Sequence, residues 1–437
     1  MNKKLVVLGI AMSLMMVTGC LGEGSESKET KSTKVESGKD GKVEVEFWYS
    51  GGKTAVNIVA QIVEEFNSSQ DNYNVVINTQ ASYDETYQKL QSSIAGKSAP
   101  DMALINVADS RNLFEKGLTH DINTFITKDS EFDKDDYLEV FYKQGEKGEA
   151  LFALPAYGTT QVLYYNKEAF SQVGVEPESI KTWQDLSNVA KKIADLDGFE
   201  YGWEPMWGSP NLIDASLSNG ATLLSEDGKT VLINSKEWVE VWESFRKWIH
   251  DDKIMTVNSG GQGWEYWYKT IDDVIGNVAG GYTGSSGDQA DLDFKVVGAI
   301  EQPGFGTNSS SPTADALQFV MLEGSNGEEK QGVYELMKFF TSPTNQAKWT
   351  MNTGYIAVRE SVQEVEEFKT YAEENPQILI PLQQATHAST PLYDPTGGKI
   401  NDALKIAADK VELENIPAKE ALDEAQKVAQ MALDNLK

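Results

Sequence analysis

Val43-Glu44-Val45-Glu46-Phe47-Trp48-Tyr49 alternates polar and apolar residues and then becomes wholly apolar, the pattern of a strand running into a core. Ala55 to Phe66 follows with apolar residues at Val59, Ile62, Val63 and Phe66, which is helical spacing. Asn74-Val75-Val76-Ile77 reads as a second strand, and Tyr83 to Ala95 as a second helix with Tyr87, Leu90 and Ile94 on one face. Pro100-Asp101-Met102-Ala103-Leu104-Ile105 supplies a third strand. Strand, helix, strand, helix, strand implies a parallel sheet with right-handed crossovers. Open sheets of this kind bind ligands beyond the carboxyl ends of their strands.

The alternation continues with a strand at Leu163-Tyr164-Tyr165-Asn166 and a helix from Trp183 to Leu196 capped by Thr182. Another helix spans Trp238 to Ile249, glycines punctuate Gly276 to Gly287, and Phe294-Lys295-Val296-Val297 reads as a strand. The last hundred or so residues are helical in pattern: Gly332 to Phe340, Asn345 to Met351, Ile400 to Leu413 and Ala418 to Leu436. Two α/β lobes of similar size, with the chain crossing between them, is the most economical architecture.

Composition limits the partners. The 437 residues hold 38 Lys+Arg against 67 Asp+Glu, a net charge of −29. Such a surface repels phosphate backbones, so no nucleic acid is expected. The arginines are Arg111, Arg246 and Arg359 alone, few clamps for a highly anionic solute. His120, His250 and His387 lie far apart, and Asp129, Glu131, Asp133 and Asp135 lack the glycine and closing glutamate of a calcium loop. No metal, cofactor or catalytic set is expected. Trp238, Trp242, Phe245 and Ile249 form a stripe at helical spacing that reads as core.

The amino terminus is informative. Met1-Asn2-Lys3-Lys4 precedes an apolar run from Leu5 to Val17. At helical rise that run covers roughly 20 Å, short of the ~30 Å hydrocarbon core, so it reads as a leader rather than a span. It ends in Val17-Thr18-Gly19-Cys20, which resembles the bacterial lipobox, and Cys20 is the sole cysteine. The resemblance implies that Cys20 is lipidated and becomes the first mature residue, several acyl chains giving stable attachment. Leu21 to about Lys42 is polar and cannot bury enough surface to fold. A leader over 1–19 and a lipid-anchored tether over 20–42 on the extracytoplasmic face of the membrane are the expectation.

Seven strings in register carry a wider resemblance. They are Phe47 to Gly52, Phe66 to Ser69, Tyr83 to Thr86, Ala99-Pro100-Asp101, Val162 to Phe170, Thr182 to Leu186 and Asn352 to Arg359. Their order and spacing resemble the extracellular solute-binding proteins of ATP-driven importers, the family of maltose- and glycerol-3-phosphate-binding proteins. The resemblance implies an α/β, two-lobed periplasmic-binding fold of type II, with a ligand cleft between lobes joined by a multi-crossing hinge. Hinge crossings are expected near Leu154-Pro155-Ala156, Ser311 to Asp315 and Thr353 to Tyr355. One lobe then holds 43–156 and 313–354, and the other 157–312 and 355–437. A monomer that passes its solute to permease subunits, without a chemical step, is implied.

Sugars present apolar faces between hydroxyls, so their sites need aromatic platforms and a few hydrogen-bonding groups. Trp48 and Tyr49 project from the carboxyl end of the first strand, as ligand contacts or as core aromatics. Trp203 and Trp207, in Gly202-Trp203-Glu204-Pro205-Met206-Trp207-Gly208, are the preferred stacking platforms because loop indoles are less easily explained as core. By resemblance, Tyr83, Thr159, Ser285 and Tyr355 match ligand-facing positions. Asp109 resembles a sugar-gripping aspartate, although it also suits a helix cap. The family's phosphate-holding arginine has no counterpart in Tyr393 to Ile400, and a family glycine pair reads Ala314-Asp315 here. A neutral carbohydrate is therefore expected. Glycerol-3-phosphate or a phosphodiester is one alternative, and a secreted glycoside hydrolase with paired carboxylates about 5–9 Å apart is another.

Overall fold

Ala55, Ile58, Val59, Ile62, Val63 and Phe66 form one buried stripe along the helix Lys53–Ser69, and that stripe decides how the helix lies on its sheet. In the computed structural model, which describes residues 41–261 and 264–436, the first strand β1 is Val43–Tyr49 and this helix is α1. Then come β2 (Tyr73–Thr79), α2 (Tyr83–Ala95), β3 (Met102–Ile105) and α3 (Val107–Glu115). β1 pairs parallel with β2 on one side and β3 on the other, as the alternation requires. Residues 1–40, which hold the expected leader, Cys20 and most of the tether, lie outside the described residues. No helix among the described residues is long and apolar enough to cross a membrane.

The sheet does not stop there. Ala314–Met321 runs antiparallel beside β3, and next to it lies the thirteen-residue strand Leu154–Asn166. That strand changes partners halfway. Leu154 to Thr160 pair with Ala314–Met321, whereas Gln161 to Asn166 pair with Gly281–Ser285 and Val297–Ile300. One continuous strand therefore serves two sheets, and the partner switch at Thr160/Gln161 is where the chain passes from one to the other. The sequence places the departure several residues earlier, at Leu154-Pro155-Ala156. Pro155 instead lies within the ladder at a register shift opposite Leu317/Gln318, which absorbs its missing donor.

Two cores follow from the two sheets. Phe47, Val59, Ile62, Leu104, Phe319 and Leu336 belong to one, and Trp183, Leu186, Trp238, Trp242, Phe245 and Leu404 to the other. Each such side chain withdrawn from water contributes about 1.5–3 kcal/mol. Of the predicted stripe, Trp238, Trp242 and Phe245 are fully buried, whereas Ile249, in the π-helical turn Lys247–Asp251, is only partly buried against the same core. Thr182 caps the helix Trp183–Ala194 in a reciprocal box with Asp185. The expected strand at Phe294 to Val297 begins only at Val297 and runs to Ile300.

A polar knot ties the passage between the sheets. Gln384 Nε2 donates to Thr160 Oγ1 and to the Gln161 carbonyl, both at 2.6 Å. Gln302 Nε2 donates to the Gln161 carbonyl at 2.9 Å and to Asp214 Oδ2 at 2.8 Å. Asp214 Oδ1 accepts from the Thr313 amide and hydroxyl. Thr313 also pairs with Ser389, so residues 160–161, 313–314 and 384–389 run side by side. Around Tyr355 the chain behaves differently: Ile356 pairs with Gly158, and Val358 packs in the first core.

Candidate functional site

A cavity of about 350 Å³ lies between the two sheets' loops. Its first wall is made by the turn Ser50-Gly51-Gly52-Lys53 after β1, by Ser82 and Tyr83 at the start of α2, and by Tyr355. The second comes from Trp264, Trp267 and Tyr268, with Ser285, Asp288 and Asp291. The first wall is where the carboxyl ends of β1 and β2 deliver their loops, as a parallel sheet dictates.

Behind the first wall stands a tyrosine cluster. Tyr83 and Tyr157 have hydroxyls 3.4 Å apart, and the Tyr157 ring lies 4.8 Å from Tyr355 and 4.6 Å from Trp349. Burial pushes the phenols of Tyr83, Tyr157 and Tyr355 upward, so they stay protonated, and Tyr83 and Tyr355, which line the cavity, can donate to a ligand. Gly51 is required here because a Cβ would lie 2.6 Å from Tyr49 Oη. Gly287 is required because a Cβ would lie 2.5 Å from Tyr355 Cζ. Both glycines let aromatic rings approach the backbone.

The second wall is aromatic and acidic. Trp264 and Trp267 meet edge to face, 5.8 Å apart at 89°. Trp267 Nε1 donates to Asp288 Oδ1 at 2.9 Å, and Tyr282 Oη donates to Asp288 Oδ2 at 3.2 Å. Burial pushes the Asp288 carboxyl up to about 8. Among the described residues, no arginine lines the cavity and Lys53 is its one cationic side chain.

The expected site residues divide. Tyr83, Ser285 and Tyr355 line the cavity. Thr159 sits beside it, its hydroxyl 3.3 Å from Ser285 Oγ and 3.4 Å from Ser286 Oγ. Tyr49 is fully buried beneath Gly51, and Trp48 packs in the first lobe's interior with Nε1 donating to Glu46. Both of these are core aromatics.

Two corrections concern the platforms. Trp203 has no exposed surface, packs in the second core and donates Nε1 to Thr283 Oγ1 at 3.0 Å, so it has no free face for a ligand. Trp207 donates to Asp409 Oδ1 at 2.8 Å, meets Tyr266 edge to face at 5.1 Å, and is outside the residues that line the cavity. Asp109 is outside the residues that line the cavity; it accepts from Asn106, the residue that caps α3, so the cap belongs to its neighbour. The helix Glu265–Ile275, which with its cap residue Trp264 carries the cavity's aromatic wall, is not among the helices the sequence pattern predicts. Its signal was present in Trp264-Glu265-Tyr266-Trp267-Tyr268, four aromatics in five residues, with Ile271 and Val274 continuing one face.

Two sheets with a polar and aromatic cavity between their loops fit the architecture that the seven strings imply. A model of the bacterial extracellular solute-binding protein family matches residues 61–377. The chain belongs to that family. This solute-binding protein is 26% identical to the arabinooligosaccharide-binding protein of Bacillus subtilis (strain 168), over 61% of this chain and 59% of that one, less than two thirds of the relative. It is 24% identical to the sn-glycerol-3-phosphate-binding periplasmic protein UgpB of Shigella dysenteriae serotype 1 (strain Sd197), over 76% and 78% of the two chains. Its fold matches the crystal structure of UgpB from Mycobacterium tuberculosis in complex with glycerophosphocholine, with a TM-score of 0.78 at 18% identity. That match covers 91% of this solute-binding protein and all of the other chain. The two-lobed fold is thereby placed.

Proposed function

We propose that this protein captures a carbohydrate between its lobes and delivers it to the permease subunits of an ATP-driven importer, as a monomer and without chemical conversion. The observation that carries the reading is the cavity itself: Trp264, Trp267 and Tyr268 offer apolar faces, while Tyr83, Ser285 and Asp291 offer hydroxyl and carboxylate partners. That combination suits rings that alternate C–H faces with hydroxyls. The ligand touches residues of both lobes, so it has greater affinity for the closed form and shifts the population toward it.

We assign residues 43–160 and 313 to about 389 to the first lobe, and the remainder of the folded body to the second. The support is the partner switch at Thr160/Gln161, the Thr313–Ser389 pairing and the return of Ile356 and Val358 to the first core. Cys20 carries the lipid anchor in this reading, and Leu21 to Lys42 tether the lobes to the membrane.

Titration of the purified full-length protein with mono- and oligosaccharides, followed by tryptophan fluorescence and calorimetry, tests the proposal. A panel that yields no response would overturn the carbohydrate assignment. One observation favours a glycerophosphate instead: Lys53 and the uncapped start of α1 line the first wall. Affinity that falls steeply with added salt would select that version. Turnover of a bound glycan, lost on removing one carboxyl, would make the protein an enzyme.

A further inference from the structure

Large aromatics are seldom left in water on a helix that has a core to join. Trp264 is 53% exposed and Tyr268 49% exposed, and both line the cavity with Trp267. The two indoles stand at 89°, so they present two perpendicular faces rather than one stacking plane. A sugar's C–H face stacks on one ring plane at a time. A rounded cationic head uses two or three faces at once, because each ring's quadrupole attracts it. Asp288 and Asp291 complete the same corner.

From this geometry we infer that the corner formed by Trp264, Trp267, Tyr268 and Asp291 holds an ammonium group, so that the solute is an amine-bearing carbohydrate. The inference rests on the carbohydrate reading and departs from the expectation of a fully uncharged solute. Asp288 is a positioning residue in this site. Its two oxygens are taken by Trp267 Nε1 and Tyr282 Oη, which fixes the Trp267 plane against the strand Gly281–Ser285. Asp291 is exposed toward the cavity and supplies the charge. Desolvation raises both carboxyls, and an incoming cation offsets that cost by restoring a favourable partner. The cation of the other wall, Lys53, belongs to the turn after β1 and leaves the acidic corner to the solute. The overall charge of −29 also favours encounter with cationic solutes.

The test compares glucosamine oligomers with their N-acetylated counterparts, which keep the ring and lose the charge, and with choline, an ammonium without a sugar. Calorimetry on the purified full-length protein should give the free amines at least tenfold tighter binding than the acetylated forms. That advantage should shrink at 0.5 M salt and disappear in Asp291→Asn, while Trp264→Ala weakens choline and amine binding together. Equal affinity for amine and acetylated forms would overturn the inference and leave the carbohydrate reading standing. Binding of choline with no response to any sugar would sink the carbohydrate reading and keep the ammonium site. An amine advantage unchanged in both Asp291→Asn and Trp264→Ala would place the charge elsewhere and overturn the assignment.

Discussion

The guanidinium of Arg111 lies 3.9 Å from the centre of the Tyr393 ring. Arg111 belongs to α3, whose cap follows β3, while Tyr393 precedes the helix Lys399–Glu412, where Asp394 holds the Ile400 and Asn401 amides. The contact therefore joins the first sheet's periphery to the second core's last helix pair. An exposed cation–π pair contributes about 0.5–1 kcal/mol. Arg111→Ala should speed ligand release about two- to fivefold, with thermal stability unchanged. Stopped-flow dissociation measures this; an unaltered off-rate would show that the pair has no part in closure.

The two tryptophan sets should separate in a binding and stability comparison. Trp267→Ala removes a cavity face and should weaken solute binding by tenfold or more, with only modest loss of stability. Trp203→Ala empties a fully buried site in the second core and should cost about 3–5 kcal/mol. Denaturant melts and calorimetry on both variants decide the point. The reverse pattern would restore Trp203 as a ligand contact.

At the polar knot, Gln384 donates to Thr160 Oγ1 and the Gln161 carbonyl while its Oε1 accepts from the Gln302 amide. Gln384→Ala leaves the buried Gln302 amide without its acceptor, while the Gln161 carbonyl keeps Gln302 Nε2 and the Thr160 hydroxyl keeps the Thr313 carbonyl, at about 1–3 kcal/mol. Glu in the same place keeps the shape but exchanges a donor for a charge, and should be worse. Urea melts of the two variants give the ordering.

Four acids set a pH dependence: Asp214, Glu204 and Asp288 are buried, and Asp315 is half-buried. Burial holds Asp214 up to about 6 and, aided by the charge of Asp214, Asp315 up to about 7. Burial likewise lifts Glu204 and Asp288 to about 8. Carboxyls in unfolded chains titrate near pH 4. Between roughly pH 4 and pH 8 the folded state thus binds more protons than the unfolded one, so stability falls as pH rises through that window. The melting temperature should be higher at pH 5.5 than at pH 8.5. Asp315→Asn should flatten the slope and raise the melting temperature at pH 8.5. A melting temperature that rises over this range would contradict the burial of these groups.

Much of the first lobe was legible because its signals are local. The alternation of Val43 to Tyr49 and the spacing of Val59, Ile62, Val63 and Phe66 specify a strand and a helix with one apolar face each. Thr182 with Asp185 marks its own helix start. The platforms were not legible in the same way. Trp203 and Trp207 sit in a Gly/Pro stretch that looks like a cleft loop, yet the short strand Glu204–Pro205 joins Gly281–Ser285 and draws Trp203 into the core. Which indole is buried depends on a strand pairing made some eighty residues away.

The sequence alone determined the alternating elements, the apolar stripes that build two cores, the scarcity of arginine and the family resemblance, because periodicity and composition act over a turn or a strand. Tertiary structure alone decided which aromatics face the cavity, where Leu154–Asn166 changes partners, and that Asp288 braces Trp267. Those outcomes follow from contacts between segments distant in the chain, and local pattern carries no record of them.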